Sequence, residues 1–148
     1  MNATHARQAL LGIAVISAAT FAALAQDNPT PKVSLSGTYT ITHVNLDTNT
    51  VSMDFSATIT NNGGDDVTGP VVLRDPNVID RVFNRFGDTT IPAGGNATVN
   101  SVVTVPRPQY NMWASSGPGL FFYTKNDRGD IQTIRIPISE IKAPSSKR

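Results

Sequence analysis

The chain has 148 residues, with 12 Lys+Arg against 11 Asp+Glu, no cysteine and 39% hydrophobic residues. That length suits a single domain with one core. The absence of cysteine excludes disulfide staples, thiolate zinc sites and a cysteine nucleophile, and scattered bases exclude the clustered Lys/Arg footprint of nucleic-acid binding.

Residues 1–25 have the three zones of an export signal. Arg7 and His5 lie in an acid-free start, and the run ALLGIAVISAATFAAL over residues 9–24 is almost without polarity. Ala23, Leu24 and Ala25 then place small residues at −3 and −1, which predicts cleavage between Ala25 and Gln26. The apolar run is shorter than the ~20 residues of a membrane-spanning helix, so a cleaved signal is expected rather than an anchor, with a periplasmic or secreted product. Removing residues 1–25 takes Arg7 and no acid, and leaves a formally neutral chain. No membrane span is expected after processing.

Residues 26–32 (QDNPTPK) read as a flexible, proline-bearing leader, residues 33–142 as the folded domain, and residues 143–148 as a polar tail. Within the domain the apolar period is two. Val33, Leu35, Tyr39 and Ile41 alternate with polar residues. Val51, Met53, Phe55, Ala57 and Ile59 then alternate with Ser52, Asp54, Ser56, Thr58 and Thr60, as in a half-buried strand. Turn residues 61–66 follow, then a strand over 67–73 in which Pro70 suggests an edge position or a bulge. A strand over 96–105, a short strand candidate over 110–114, and a hairpin of 120–125 with 131–138 complete the pattern.

One segment has a different period. Val78, Ile79, Val82, Phe83 and Phe86 recur at helical spacing behind Asp75-Pro76, an N-cap signal, and Gly87 stands where a helix would close. A short helix is expected near 77–86, crossing between sheets. The expected fold is all-β: an immunoglobulin-like antiparallel β-sandwich of six or seven strands.

The stretches SATITNNGGDDVTGPVVLRD and IPAGGNATVNSVVTV, at residues 56–75 and 91–105, carry a resemblance. A strand ends in Asn-x-Gly at Asn61 and Gly63, and an apolar-Pro-Ala-Gly turn at Ile91 and Gly94 leads into a further strand. Over roughly residues 51–105 this resembles the cell-adhesion-related (CARDB-like) modules of bacterial surface proteins. The resemblance implies an immunoglobulin-like fold and an extracytoplasmic setting.

Little in the sequence points to catalysis. Beyond residue 25 there is one histidine, His43, and one glutamate, Glu140. The aspartates fall mainly in turns, where Asp is good turn chemistry. No catalytic residue, cofactor site or metal site is therefore expected. The Asn/Asp-rich turns 61–66 and 126–130 offer oxygen ligands that calcium accepts, but ordinary turn chemistry explains the same residues. Arg128-Gly129-Asp130 is an RGD tripeptide at an expected hairpin tip, where Gly and polar neighbours are needed in any case. Asn96-Ala97-Thr98 is a glycosylation sequon.

The aromatics of the last third are the candidate contact residues: Tyr110, Trp113, Phe122 and Tyr123. Burial of Trp113 in the core is the favoured expectation. In the alternating reading Trp113 shares a face with Asn111, which leaves open a role as an exposed platform. The expected function is an exported, non-enzymatic module with a structural or protein-interaction role, its partner another protein at the cell envelope or outside the cell. The alternative is a carbohydrate-binding sandwich, with Trp113 and Tyr110 stacking on a glycan.

Overall fold

A computed structural model of the chain describes residues 33–142. The expected export signal, leader and polar tail lie outside the described residues. Eight strands and one helix follow in the order β1 Leu35–Leu46, β2 Thr50–Asn61, β3 Val67–Arg74, β4 Val82–Ile91, β5 Asn96–Pro106, α1 Arg107–Ser116, β6 Gly119–Lys125, β7 Ile131–Ile136 and β8 Ile138–Glu140. They form two four-stranded sheets, β5-β2-β1-β8 and β4-β3-β6-β7. This is an immunoglobulin-like β-sandwich, antiparallel but for β8, which pairs in parallel with β1 through Gly37 and Ile138.

Strand β2 alternates buried and half-buried along its whole length. Val51, Met53, Phe55, Ala57 and Ile59 all point inward, and they meet Val71, Leu73, Leu120 and Phe122 of the facing sheet in one core. Phe55 stacks on Tyr39 of the same sheet (ring centroids 5.8 Å, 17°) and touches Phe86 across the sandwich (6.0 Å).

At residues 77–86 the expected helix is replaced by a single turn and then strand β4. The capping signal at Asp75 operates: its Oδ1 accepts from Asn77 N (2.8 Å) and Val78 N (3.3 Å). Only one turn follows, because the chain then pairs with β3. The helical spacing of Phe83 and Phe86 has a different cause. Val71 pairs with Gly87 but Val72 pairs with Arg85, so Phe86 is the extra residue of a β-bulge. A bulge shifts the alternation by one position, and both phenylalanines therefore reach the core from one strand.

The candidate strand at 110–114 lies instead in α1. Pro106 precedes the helix, a proline stands in its first turn, and Gly117 ends it at φ 71°, donating its N–H to Trp113 O. This is the proline-before, glycine-after asymmetry of helices. On this helix Trp113 shares its buried face with Gln109, four residues earlier, not with Asn111.

The strand count exceeds expectation because β4 stands where a helix was expected and because Pro137 divides the last segment into β7 and β8, which join different sheets. Strand β3 is interior, not an edge. Its Pro70 is accommodated because the ladder to β6 runs only from Val71 to Arg74, so no partner there lacks a donor.

Candidate interaction groove on the second sheet

Alternation along β3 and β6 sends Val71, Leu73, Leu120 and Phe122 inward and leaves Val72, Arg74, Phe121 and Tyr123 on the outer face. Val72 is nonetheless only 1% exposed. Phe121 and Arg74 are also buried, and none of the three belongs to the main core. The turn over residues 75–81 folds back across this face: Pro76 lies against Gly119, and Ile79 and Asp80 share a groove with Val72. Beneath the turn the Arg74 guanidinium sits 3.7 Å above the Phe121 ring, a cation–π contact. Its Nη1 donates to Asp75 O, while Nε is buried without a partner. Asp75 in turn anchors the turn through its two backbone amides and through Arg81 at 3.3 Å.

The result is an open groove of about 810 Å³. Its floor is Val72, Pro70 and Gly69, and Tyr123 stands along it. Gly69 is obligatory there, since a Cβ would collide with Tyr123 O. At the end near Arg74 lies Ile79, 71% exposed, beside Asp80; at the other end lies Ile131, 72% exposed, paired with Lys125. Arg85 and Asp88 of β4 complete the charged lining. Among the described residues none of these four charged side chains is engaged in an ion pair or side-chain hydrogen bond. Exposed isoleucines therefore stand around an apolar floor, ringed by charges of both signs.

The four aromatic candidates separate. Phe122 is fully buried in the core. Trp113 is 4% exposed and meets Phe83 edge to face. Among the described residues its Nε1 has no hydrogen-bond partner. Tyr110 is half-buried beside Trp113, where the two line a pocket of about 310 Å³ with Tyr39, Glu140 and Lys142. Burial pushes the Tyr39 phenol above its ordinary value, and the nearby Glu140 carboxylate adds to this. Tyr123 alone lines the groove. Trp113 therefore presents no open ring face for a sugar, and Tyr110 and Tyr123 lie in different depressions.

His43 is exposed at φ 49°, at the register shift of β1, and its Nδ1 shares a 2.7 Å hydrogen bond with Asp54 Oδ2. In the two Asn/Asp-rich turns three of the side-chain oxygens accept from backbone amides. Asn61 Oδ1 accepts from Gly63 N, Asp66 Oδ1 from Ala93 N, and Asn126 Oδ1 from both Arg128 N and Asp130 N. Among the described residues no three His, Cys, Asp or Glu side chains converge as metal ligands. The Arg128-Gly129-Asp130 tip is exposed, with Gly129 at φ 85°.

Sequence reasoning assigned Ile79 to a helix face and gave Ile131 only a strand position, so it missed the groove. Gly69-Pro70 inside a strand is the signal that could have marked it, because both residues thin a strand where another group approaches.

No family model matches the chain, and no curated protein does. Among solved structures it is similar to DesR, a β-glucosidase from Streptomyces venezuelae crystallised with D-glucose, at 18% identity and a TM-score of 0.31. That match covers 70% of this chain but spans only 15% of the length of the glucosidase. It is also similar to Northeast Structural Genomics Consortium target SoR45, at 13% identity and a TM-score of 0.33, over 78% of this chain and 90% of that one. Neither likeness bears on activity.

Proposed function

We propose that this chain is an exported, non-enzymatic immunoglobulin-like module that works by protein contact, and that the groove on the outer face of β4-β3-β6-β7 is its contact surface. The observation that carries this reading is the pairing of Ile79 and Ile131, each more than 70% exposed, across the apolar floor of Val72. Solvent-exposed isoleucines at both ends of one concavity lower their free energy when a partner covers them. The free charges beside them supply the polar rim that fixes orientation. The export-signal pattern of residues 1–25 and the resemblance of residues 51–105 to bacterial surface modules support an extracytoplasmic setting. In that setting the absence of cysteine leaves stability to the core and the two sheets.

Site-specific photo-cross-linking in the producing cell tests the reading. A photoreactive residue in place of Ile79 or Ile131 should give discrete protein adducts. The same residue in place of Val102, equally exposed (71%) but on the other sheet, should give none. Adducts from position 102 alone would place the contact surface elsewhere.

A further inference from the structure

The groove has the chemistry of a self-complementary surface. Its two ends carry the same apolar group and opposite charges: Ile79 with Asp80 near the Arg74 end of β3, and Ile131 with Lys125 near the Thr68 end. Between them, Arg85 lies opposite Val72 and Asp88 opposite Pro70, so the middle of the groove repeats the pattern with one base and one acid. Among the described residues all four charges are uncommitted.

We infer that the groove takes a second copy of this chain, packed face to face about a two-fold axis. The inference rests on the reading of the groove as a protein contact surface. In a two-fold interface the same patch serves both partners, so each residue at one end meets the residue at the other end of its neighbour. An axis lying in the interface and crossing the middle of the groove brings Asp80 onto the neighbour's Lys125 and Ile79 onto its Ile131. It also brings Arg85 toward the neighbour's Asp88. Symmetry makes every such contact twice. An unrelated partner would have to present a matched two-acid, two-base pattern beside exposed apolar groups, whereas the second copy has it by construction. Charge complementarity of this kind sets register and penalises wrong pairings.

Sedimentation equilibrium of the full chain over a concentration series tests the inference with D80K, K125D and the double exchange D80K/K125D. All three variants change exposed positions, and their denaturation midpoints are measured alongside. The unaltered chain should dimerise. Each single reversal should weaken the dimer by about tenfold or more, and the double exchange should restore it to within about threefold, as expected of a directly coupled charge pair. A chain that is monomeric throughout, or a double exchange no better than the singles, would overturn the second copy. The photoreactive residue at position 131 separates this failure from that of the broader reading. An adduct of twice the chain mass supports the dimer. An adduct with a different protein overturns the dimer and leaves the contact surface standing, and no adduct overturns both.

Discussion

Phe83 of β4 and Trp113 of α1 meet edge to face, their ring centroids 5.7 Å apart and their planes at 80°. The contact fastens α1 to a strand of the opposite sheet. Tyr39, Ile41 and Tyr110 line the same small pocket as Trp113, whose Nε1 is left without a partner.

Because Trp113 is the only tryptophan, its fluorescence reports this packing directly. Emission should lie to the blue and not respond to added polysaccharide. Trp113→Ala should cost about 3–5 kcal/mol through lost transfer energy and a cavity. Trp113→Phe removes the unpartnered donor along with some volume, and should lose less than half of that. Red-shifted emission that moves on adding a glycan would contradict the packing.

The register of β2 makes a second prediction. Phe55 is fully inside while its neighbour Asp54 is half-buried, its carboxylate 49% exposed and bonded to exposed His43. Phe55→Ala should cost about 3–5 kcal/mol. Asp54→Ala loses only a surface pair and should stay below about 1 kcal/mol. Equal denaturation midpoints for the two variants would show the strand to be out of register.

Asn61 is fully buried at the end of β2 and ties three segments together. Its amide donates to Asp65 O (2.7 Å) and Ile91 O (3.1 Å), and its Oδ1 accepts from Gly63 N. Asn61→Ala should cost about 1–3 kcal/mol by leaving buried backbone groups unpaired. Asn61→Asp should cost more, since a carboxylate would face two carbonyl oxygens with no proton to give them. If urea midpoints rank the aspartate variant as the milder of the two, the assignment of these bonds is wrong.

Those residues also show what a sequence can reveal. The core face of β2 was legible because a buried face imposes a period of two, and the turn at Asn61 and Gly63 because an Asn side chain bonds the backbone two residues on, with Gly63 N donating to Asn61 Oδ1; the left-handed backbone expected there is absent and occurs at Gly94 instead. The segment with Phe83 and Phe86 misled because a bulge imitates helical spacing: the extra residue at Phe86 depends on pairing with Val71 and Val72, which local periodicity does not record. The helix at Trp113 was mistaken for a strand because a few residues alternate by chance, while the stronger evidence lay outside them at Pro106 and Gly117. The groove was invisible for a related reason. It exists because the turn 75–81 folds back over Val72, and that long-range packing joins Ile79 to Ile131 across more than fifty residues of chain.

Gly69 links the groove to the fold. A Cβ at this position would collide with Tyr123 O, so β3 and β6 could not approach as they do. Gly69→Ala should destabilise by about 1–3 kcal/mol, as overpacking does. Gly64→Ala, where nothing lies within 4 Å, should be neutral or slightly stabilising. Equal effects in thermal unfolding would mean that the two strands are farther apart at Gly69 than described.

The proposed contact surface implies that the outer face of β4-β3-β6-β7 is covered when the protein works. Amide hydrogen exchange measures this most directly, comparing the chain recovered in its native assembly with the same chain separated from its partners. Amides of residues 75–82 and 123–131 should exchange more slowly in the assembly, while those of residues 98–104 on the opposite sheet should not change. Protection confined to the opposite sheet, or identical exchange in both states, would contradict the account.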